Sequence, residues 1–177
     1  MLRAVIIIFI LHFTLLAASQ VKNDMADRRF RKLNLPPGIK INFNDLMISK
    51  KTGVWARSIS NGLAFFDGTE FRIYQHSESD NNTISSNQVY DIAEDGEGNV
   101  YVATYAAGFN IIHPGTNLIE KFNPAATIPE LKNAFLLSVE TDGKNLVLLG
   151  YLGHGLYIFD RQTKQIRHFN LVAGKPE

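Results

Sequence analysis

The residues of this chain best suited to chemistry are crowded into one acidic turn, Asp91, Glu94, Asp95, Glu97 and Asn99. A calcium loop alternates its oxygen ligands and closes on a distal bidentate carboxylate, and this spacing supplies none. Asp, Gly and Asn at Asp95-Gly-Glu-Gly-Asn99 are equally the residues that turn chemistry selects, and that is the reading adopted here. His76, His113, His154 and His168 fall in separate segments without ligand spacing such as H-x-x-x-H, so no metal site is expected. The nucleophile elbow G-x-S-x-G and the phosphate loop G-x-x-x-x-G-K are both missing. No cofactor and no catalytic residue are predicted, and the chain is read as a non-enzyme.

The elements that must carry these residues are set by a repeat. Trp55, Tyr101 and Leu148 stand 46 and 47 positions apart, and Gly62, Gly108 and Gly155 repeat that spacing. Around each triplet the order is the same: turn, short strand, glycine turn, strand. A period of this size is the mark of a repeat architecture. Three-four apolar spacing is missing, and β-branched and aromatic residues fill the periodic positions, which excludes helical solenoids. Four short antiparallel strands per repeat describe a propeller blade. The run Leu146-Val-Leu-Leu149 is continuously apolar, as expected of a strand buried on both faces. The predicted fold is all-β, a partial β-propeller of about three four-stranded blades. Blade 1 is expected over about 41–75, blade 2 over about 88–123 and blade 3 over about 134–170.

The ends have a phase of their own. Leu33-Asn-Leu-Pro-Pro-Gly38 matches Phe169-Asn-Leu-Val-Ala-Gly174, which predicts an extra outer strand at Phe30–Leu33. Propellers close with roughly four to eight blades, so three leave the ring open. Either the chain is a fragment of a longer propeller or it assembles with copies of itself through open blade edges. The fragment is favoured, because the chain stops where the next blade would begin.

The first 19 residues read differently. Arg3 precedes an apolar run from Ala4 to Leu16, then small residues at Ala17-Ala-Ser19. That is a secretory signal peptide, cut after Ser19; at about 15 residues the run is short for a bilayer span. Residues 20–29 are a polar lead-in and 30–177 the repeat region. Lys plus Arg total 18 and Asp plus Glu 17; losing Arg3 with the leader brings the net charge to zero. A neutral domain argues against nucleic acid, whose phosphates demand a basic surface. With no cysteine the exported domain is held by its core alone, which favours a periplasmic setting. Contact with a membrane is expected only through an uncleaved leader or a C-terminal part that this chain lacks.

In a propeller the turns between second and third strands share one rim with the connections between blades. Arg57, Asn61, Tyr105, Lys132, Tyr151 and His154 gather there, and they are the expected contact for a small ligand or a protein partner. Phe65, Phe66, Phe71, Tyr74, Phe109, Phe122, Tyr157, Phe159 and Phe169 recur at blade phase and are expected to pack the core rather than stack on sugars.

On Glu94-Asp-Gly-Glu-Gly-Asn-Val-Tyr-Val-Ala-Thr-Tyr-Ala-Ala-Gly-Phe109, on Gly53-Val-Trp55 and on Ser60-Asn-Gly-Leu-Ala-Phe-Phe-Asp-Gly-Thr-Glu-Phe71, the chain resembles the two-component regulator propeller repeat. That motif runs D-x-x-G-x-[LI]-W-[IV]-G-T-x-x-G-G-L, and the likeness covers about residues 30–174. The motif tryptophan is Trp55, replaced by Tyr101 and Leu148; its glycine is Gly150, replaced by Arg57 and Ala103. The resemblance implies the periplasmic input region of a membrane sensor, a hybrid histidine kinase or a diguanylate cyclase. Gly155 to Phe169 also looks like blades of streptogramin lyases, and an adhesive surface propeller is the remaining alternative.

Overall fold

A computed structural model describes residues 35–37, 42–51, 53–105 and 108–169. The predicted leader, the lead-in and the outer strand at Phe30–Leu33 lie outside the described residues. The chain divides into units Met1–Leu35 and Pro36–Glu177, and every strand belongs to the second.

Twelve strands form three antiparallel sheets in chain order. Blade 1 holds β1 (Asp45–Ile48), β2 (Val54–Ser58), β3 (Gly62–Phe66) and β4 (Phe71–Tyr74). Blade 2 holds β5 (Val89–Glu94), β6 (Val100–Thr104), β7 (Phe109–His113) and β8 (Leu118–Phe122). Blade 3 holds β9 (Leu136–Thr141), β10 (Leu146–Tyr151), β11 (Gly155–Asp160) and β12 (Ile166–His168). Two 3-10 turns, Pro124–Ala126 and Pro129–Leu131, lie in the connection between blades 2 and 3. The architecture is the partial β-propeller that the repeat predicts.

Alternation along the strands of blade 2 explains how the blades adhere. Successive side chains of a strand point to opposite faces. Val100 and Val102 of β6 join a core with Trp55, Leu63 and Phe65 of blade 1. Tyr101 and Ala103, one position out of step, join a second core with Val139, Val147, Leu149 and Phe159 of blade 3. All five residues of β6 are therefore buried. Removing the largest of these side chains, Trp55, would cost about 3–5 kcal/mol, the usual penalty for an aromatic core truncation. Beyond these two cores, β1 turns Leu46 and Ile48 outward, Ile48 remaining 81% exposed.

The turns follow from their aspartates. Asp67, Asp95, Asp142 and Asp160 each accept backbone N–H groups from the residues that follow, as in Thr69 N and Glu70 N to Asp67 Oδ1, both at 2.8 Å. The bond from Glu70 N–H, with those from Thr69, pulls the Asp67 carboxyl down to about 2. Gly62 opens β3 at φ +84°, and a Cβ there would sit 2.2 Å from the Tyr74 carbonyl oxygen. Only glycine satisfies both demands.

Candidate functional site

Each blade presents two ends. At one, the connection rim, the turns after β2, β6 and β10 meet the segments that join blades. Gly62 N–H donates to Asn87 O at 2.7 Å, Tyr105 N–H to Gln88 O at 3.0 Å and Leu152 N–H to Phe135 O at 2.9 Å. These bonds fix the rim on which the six predicted site residues were placed.

The six differ in what they offer. Tyr105 is 44% exposed and meets Phe135 edge-on at 5.5 Å, across the joint of blades 2 and 3. Lys132 and His154 are exposed, and the His154 carbonyl accepts from His168 Nε2 at 3.2 Å. Arg57 is partly buried, its Nη2 donating to Asp45 Oδ2 at 3.3 Å while its Nε is buried without a partner. Asn61 is also partly buried; its Oδ1 accepts from Ser60 Oγ at 2.9 Å. Tyr151 is only 3% exposed, its ring edge-on to Tyr157 at 5.5 Å within the core of blades 2 and 3. Burial, with repulsion from the Tyr157 phenol adding to it, raises the Tyr151 hydroxyl well above its ordinary value. Its hydroxyl stays neutral and its ring serves packing.

The opposite end, the turn rim, holds most of the charge chemistry. Asp95 is a fully buried carboxylate at the joint of blades 2 and 3. Its Oδ1 accepts Glu97 N–H at 2.8 Å and Asn99 N–H at 2.9 Å. Its Oδ2 accepts Asn99 Nδ2 at 2.8 Å, Tyr101 Oη at 3.1 Å and Arg161 Nη1 at 2.8 Å. Burial alone would raise this carboxyl; the donors from Asn99, Tyr101 and Glu97 outweigh it and hold the pKa below 3.8. Arg161 reaches from blade 3 and also grips Glu97 Oε2 at 2.7 Å through Nη2. The chain of bonds continues on blade 2 through Asn99 Oδ1 to His113 Nδ1 at 2.7 Å and His113 Nε2 to Glu120 Oε1 at 2.8 Å. Lys164 of blade 3 completes it on Glu120 Oε2 at 3.0 Å. The acidic turn of the sequence is thus a structural hub, and its partner Arg161 lies 66 residues away. A turn composition reveals the aspartate; no local signal reveals that arginine.

Blades 1 and 2 meet differently on the same rim. Glu94 accepts Ser49 Oγ at 2.9 Å and Lys50 N–H at 2.7 Å, and Lys51 Nζ donates to the Glu97 carbonyl. Beside these contacts lies a cleft of about 870 Å³. Its blade 1 wall includes Lys51, Trp55, Phe65 and Arg72, and its blade 2 wall Glu94, Glu97, His113, Leu118 and Glu120. Trp55 is fully buried, and its indole Nε1 has no hydrogen-bond partner. A cavity in this size range, part apolar with a few converging polar groups, is the usual form of a small-molecule site. The cleft's walls come from residues distant in sequence, and the motifs of the sequence do not mark it. Among the described residues no group of His, Asp and Glu could hold a metal ion, and no helix is long and apolar enough to cross a membrane.

The two component regulator propeller family matches residues 83–106, the segment that leads into β5 and runs through β6. The extracellular domain of a hybrid two component system of B. thetaiotaomicron is similar at 19% identity and a TM-score of 0.64, over 80% of this chain and 20% of that one. A second such domain from the same organism is 20% identical with a TM-score of 0.59, over 85% of this chain and 19% of its own. PorZ, a surface component of the type-IX secretion system of Porphyromonas gingivalis, is 14% identical with a TM-score of 0.53, over 71% of this chain and 20% of that one. This chain thus spans about one fifth of these solved chains. No curated protein matches it. Identities this low speak for the fold: residues 83–106 match the two component regulator propeller family, and the described residues form three blades of a β-propeller fold.

Proposed function

We propose that this chain is a ligand-sensing, signal-input propeller of a two-component regulator, exported to the periplasm and without enzymatic activity of its own. The observation that carries this reading is the two component regulator propeller match at 83–106, seated in blade 2, which packs on both faces. The fold likeness to extracellular domains of hybrid two component systems is consistent with that role. The ligand or partner is assigned to the connection rim. Tyr105 and His154 stand exposed on turns of adjacent blades, with Lys132 on the segment between those blades. A molecule that touches turns of two blades binds one relative setting of the blades better than another, and a signal needs that difference in affinity.

The test uses the regulator intact in its own cell, with transcription of its target genes as the readout. The double variant Tyr105→Ala, His154→Ala is expected to lose at least tenfold of the inducer response while the domain melts normally. An unchanged response in a folded double variant would sink the rim assignment. A structural role at the cell surface is the competing reading, which the likeness to PorZ favours. Loss of a surface assembly with signalling intact would decide for it.

A further inference from the structure

The cleft between blades 1 and 2 has walls of opposite character. Blade 1 contributes donors: the Lys51 ammonium, the Arg72 guanidinium and the indole N–H of Trp55. Arg72 is exposed, with a long bond from Nη1 to Asn117 Oδ1 at 3.4 Å and a side-chain hydrogen bond to Tyr74. The one acid on this wall, Asp67, is occupied by three donors of its own turn. Blade 2 contributes carboxylates, Glu94, Glu97 and Glu120. Both walls also carry apolar groups, Trp55 and Phe65 on blade 1 and Leu118 on blade 2.

Trp55 Nε1 is the feature that asks for an explanation. A buried donor with no acceptor is rare in a native protein. Trp55 lines an open cleft. Arg72 acts on Asp67, and Glu97 and Glu120 pair with Arg161 and Lys164 while staying part-exposed, so a neutral polyol would leave the remaining charge capacity of both walls unused. A simple anion would meet three carboxylates. A dipolar molecule with an apolar body fits all three regions at once. Its carboxylate pairs with Arg72, whose planar fork suits that geometry, and accepts from Trp55; its ammonium turns to Glu97 and Glu120.

We propose that this cleft binds a zwitterion with an apolar side chain, namely a short peptide with free termini. The site is separate from the connection rim, and it stands or falls on binding by the purified chain, whatever the chain signals to. Trp55 is the only tryptophan of the protein, so its fluorescence reports on the cleft directly. The whole chain is titrated with leucyl-leucine, N-acetyl-leucyl-leucine, leucyl-leucine amide and maltose, with calorimetry on the same pairs. The free dipeptide is expected to saturate, and each singly blocked form to bind at least tenfold more weakly. Arg72→Gln, on an exposed side chain that leaves the fold alone, is expected to bind the dipeptide and its amide equally. Arg167→Gln, on β12 of blade 3, serves as the control and should match the parent. No heat and no emission change with the dipeptide would overturn the proposal. So would blocked peptides or maltose binding as well as the free dipeptide, or Arg72→Gln keeping its preference for a free carboxylate.

Discussion

Blades 2 and 3 are joined at the turn rim by a buried carboxylate and two cations, whereas blades 1 and 2 meet there around a cleft with an unmatched indole N–H. The two joints are repeats of one another in sequence. Trp55 and Tyr101 occupy the same position of successive blades, each filling the core toward the next blade. Tyr101 delivers its hydroxyl to Asp95 at 3.1 Å; the Trp55 nitrogen delivers nothing. One repeat position therefore closes a joint in one blade and leaves donor capacity unused in the other. The difference teaches that a propeller's rigidity and its openness can be divided between neighbouring joints by a handful of polar side chains, on an unchanged strand pattern.

The comparison can be broken most forcefully at the hub. Asp95→Ala strands the Asn99, Tyr101 and Arg161 donors together and is expected to cost about 3 kcal/mol, as for breaking a buried ionic network. Urea unfolding reads it, and a loss below about 1 kcal/mol would mean that the joint of blades 2 and 3 is not held by charge.

Acid comes next. Asp95, Glu97 and Glu120 all have carboxyls held below their ordinary values in the folded chain. For Glu97 the Arg161 hydrogen bond is the chief cause; for Glu120 the donors Lys164 and His113 overcome burial. Between the folded and the ordinary values the unfolded chain binds more protons, so stability rises with pH there. The contribution is complete above about 4.5, the ordinary value of a glutamate, and is lost as pH falls through the folded values. Thermal melts from pH 7 to pH 3 should show this decline, and Arg161→Gln should flatten it. An equally steep decline in that variant would place the acid lability elsewhere.

The smallest effect is also the sharpest. Tyr101→Phe removes one hydrogen bond to a buried carboxylate and is expected to cost about 1 kcal/mol. Lys51→Gln, on the exposed side of the other joint, should cost less than about 0.5 kcal/mol. Equal costs in parallel urea titrations would erase the distinction between the joints.

Much of the fold was legible because it rests on local rules. The 46-residue and 47-residue spacings, the alternation of the strands and the aspartate turns all act within a few residues of themselves, and the structure follows them. The site was less legible, and Tyr151 and Arg161 show why. Half-buried and buried positions alternate along β10, against the expectation of a strand buried on both faces, and Tyr151 falls in step with buried Val147 and Leu149, in a core that only the packing of blades 2 and 3 creates. Arg161 sits in a turn like any other, and only the packing of blade 3 on blade 2 carries its guanidinium to Asp95.

The sequence by itself determined the repeat, the strands and the turns, because period, propensity and turn chemistry are properties of neighbouring residues. Tertiary structure decided which joint closed on a salt-bridged hub and which kept a cleft. That choice depends on side chains 44 to 66 residues apart meeting at hydrogen-bonding distance, and no local rule reaches that far.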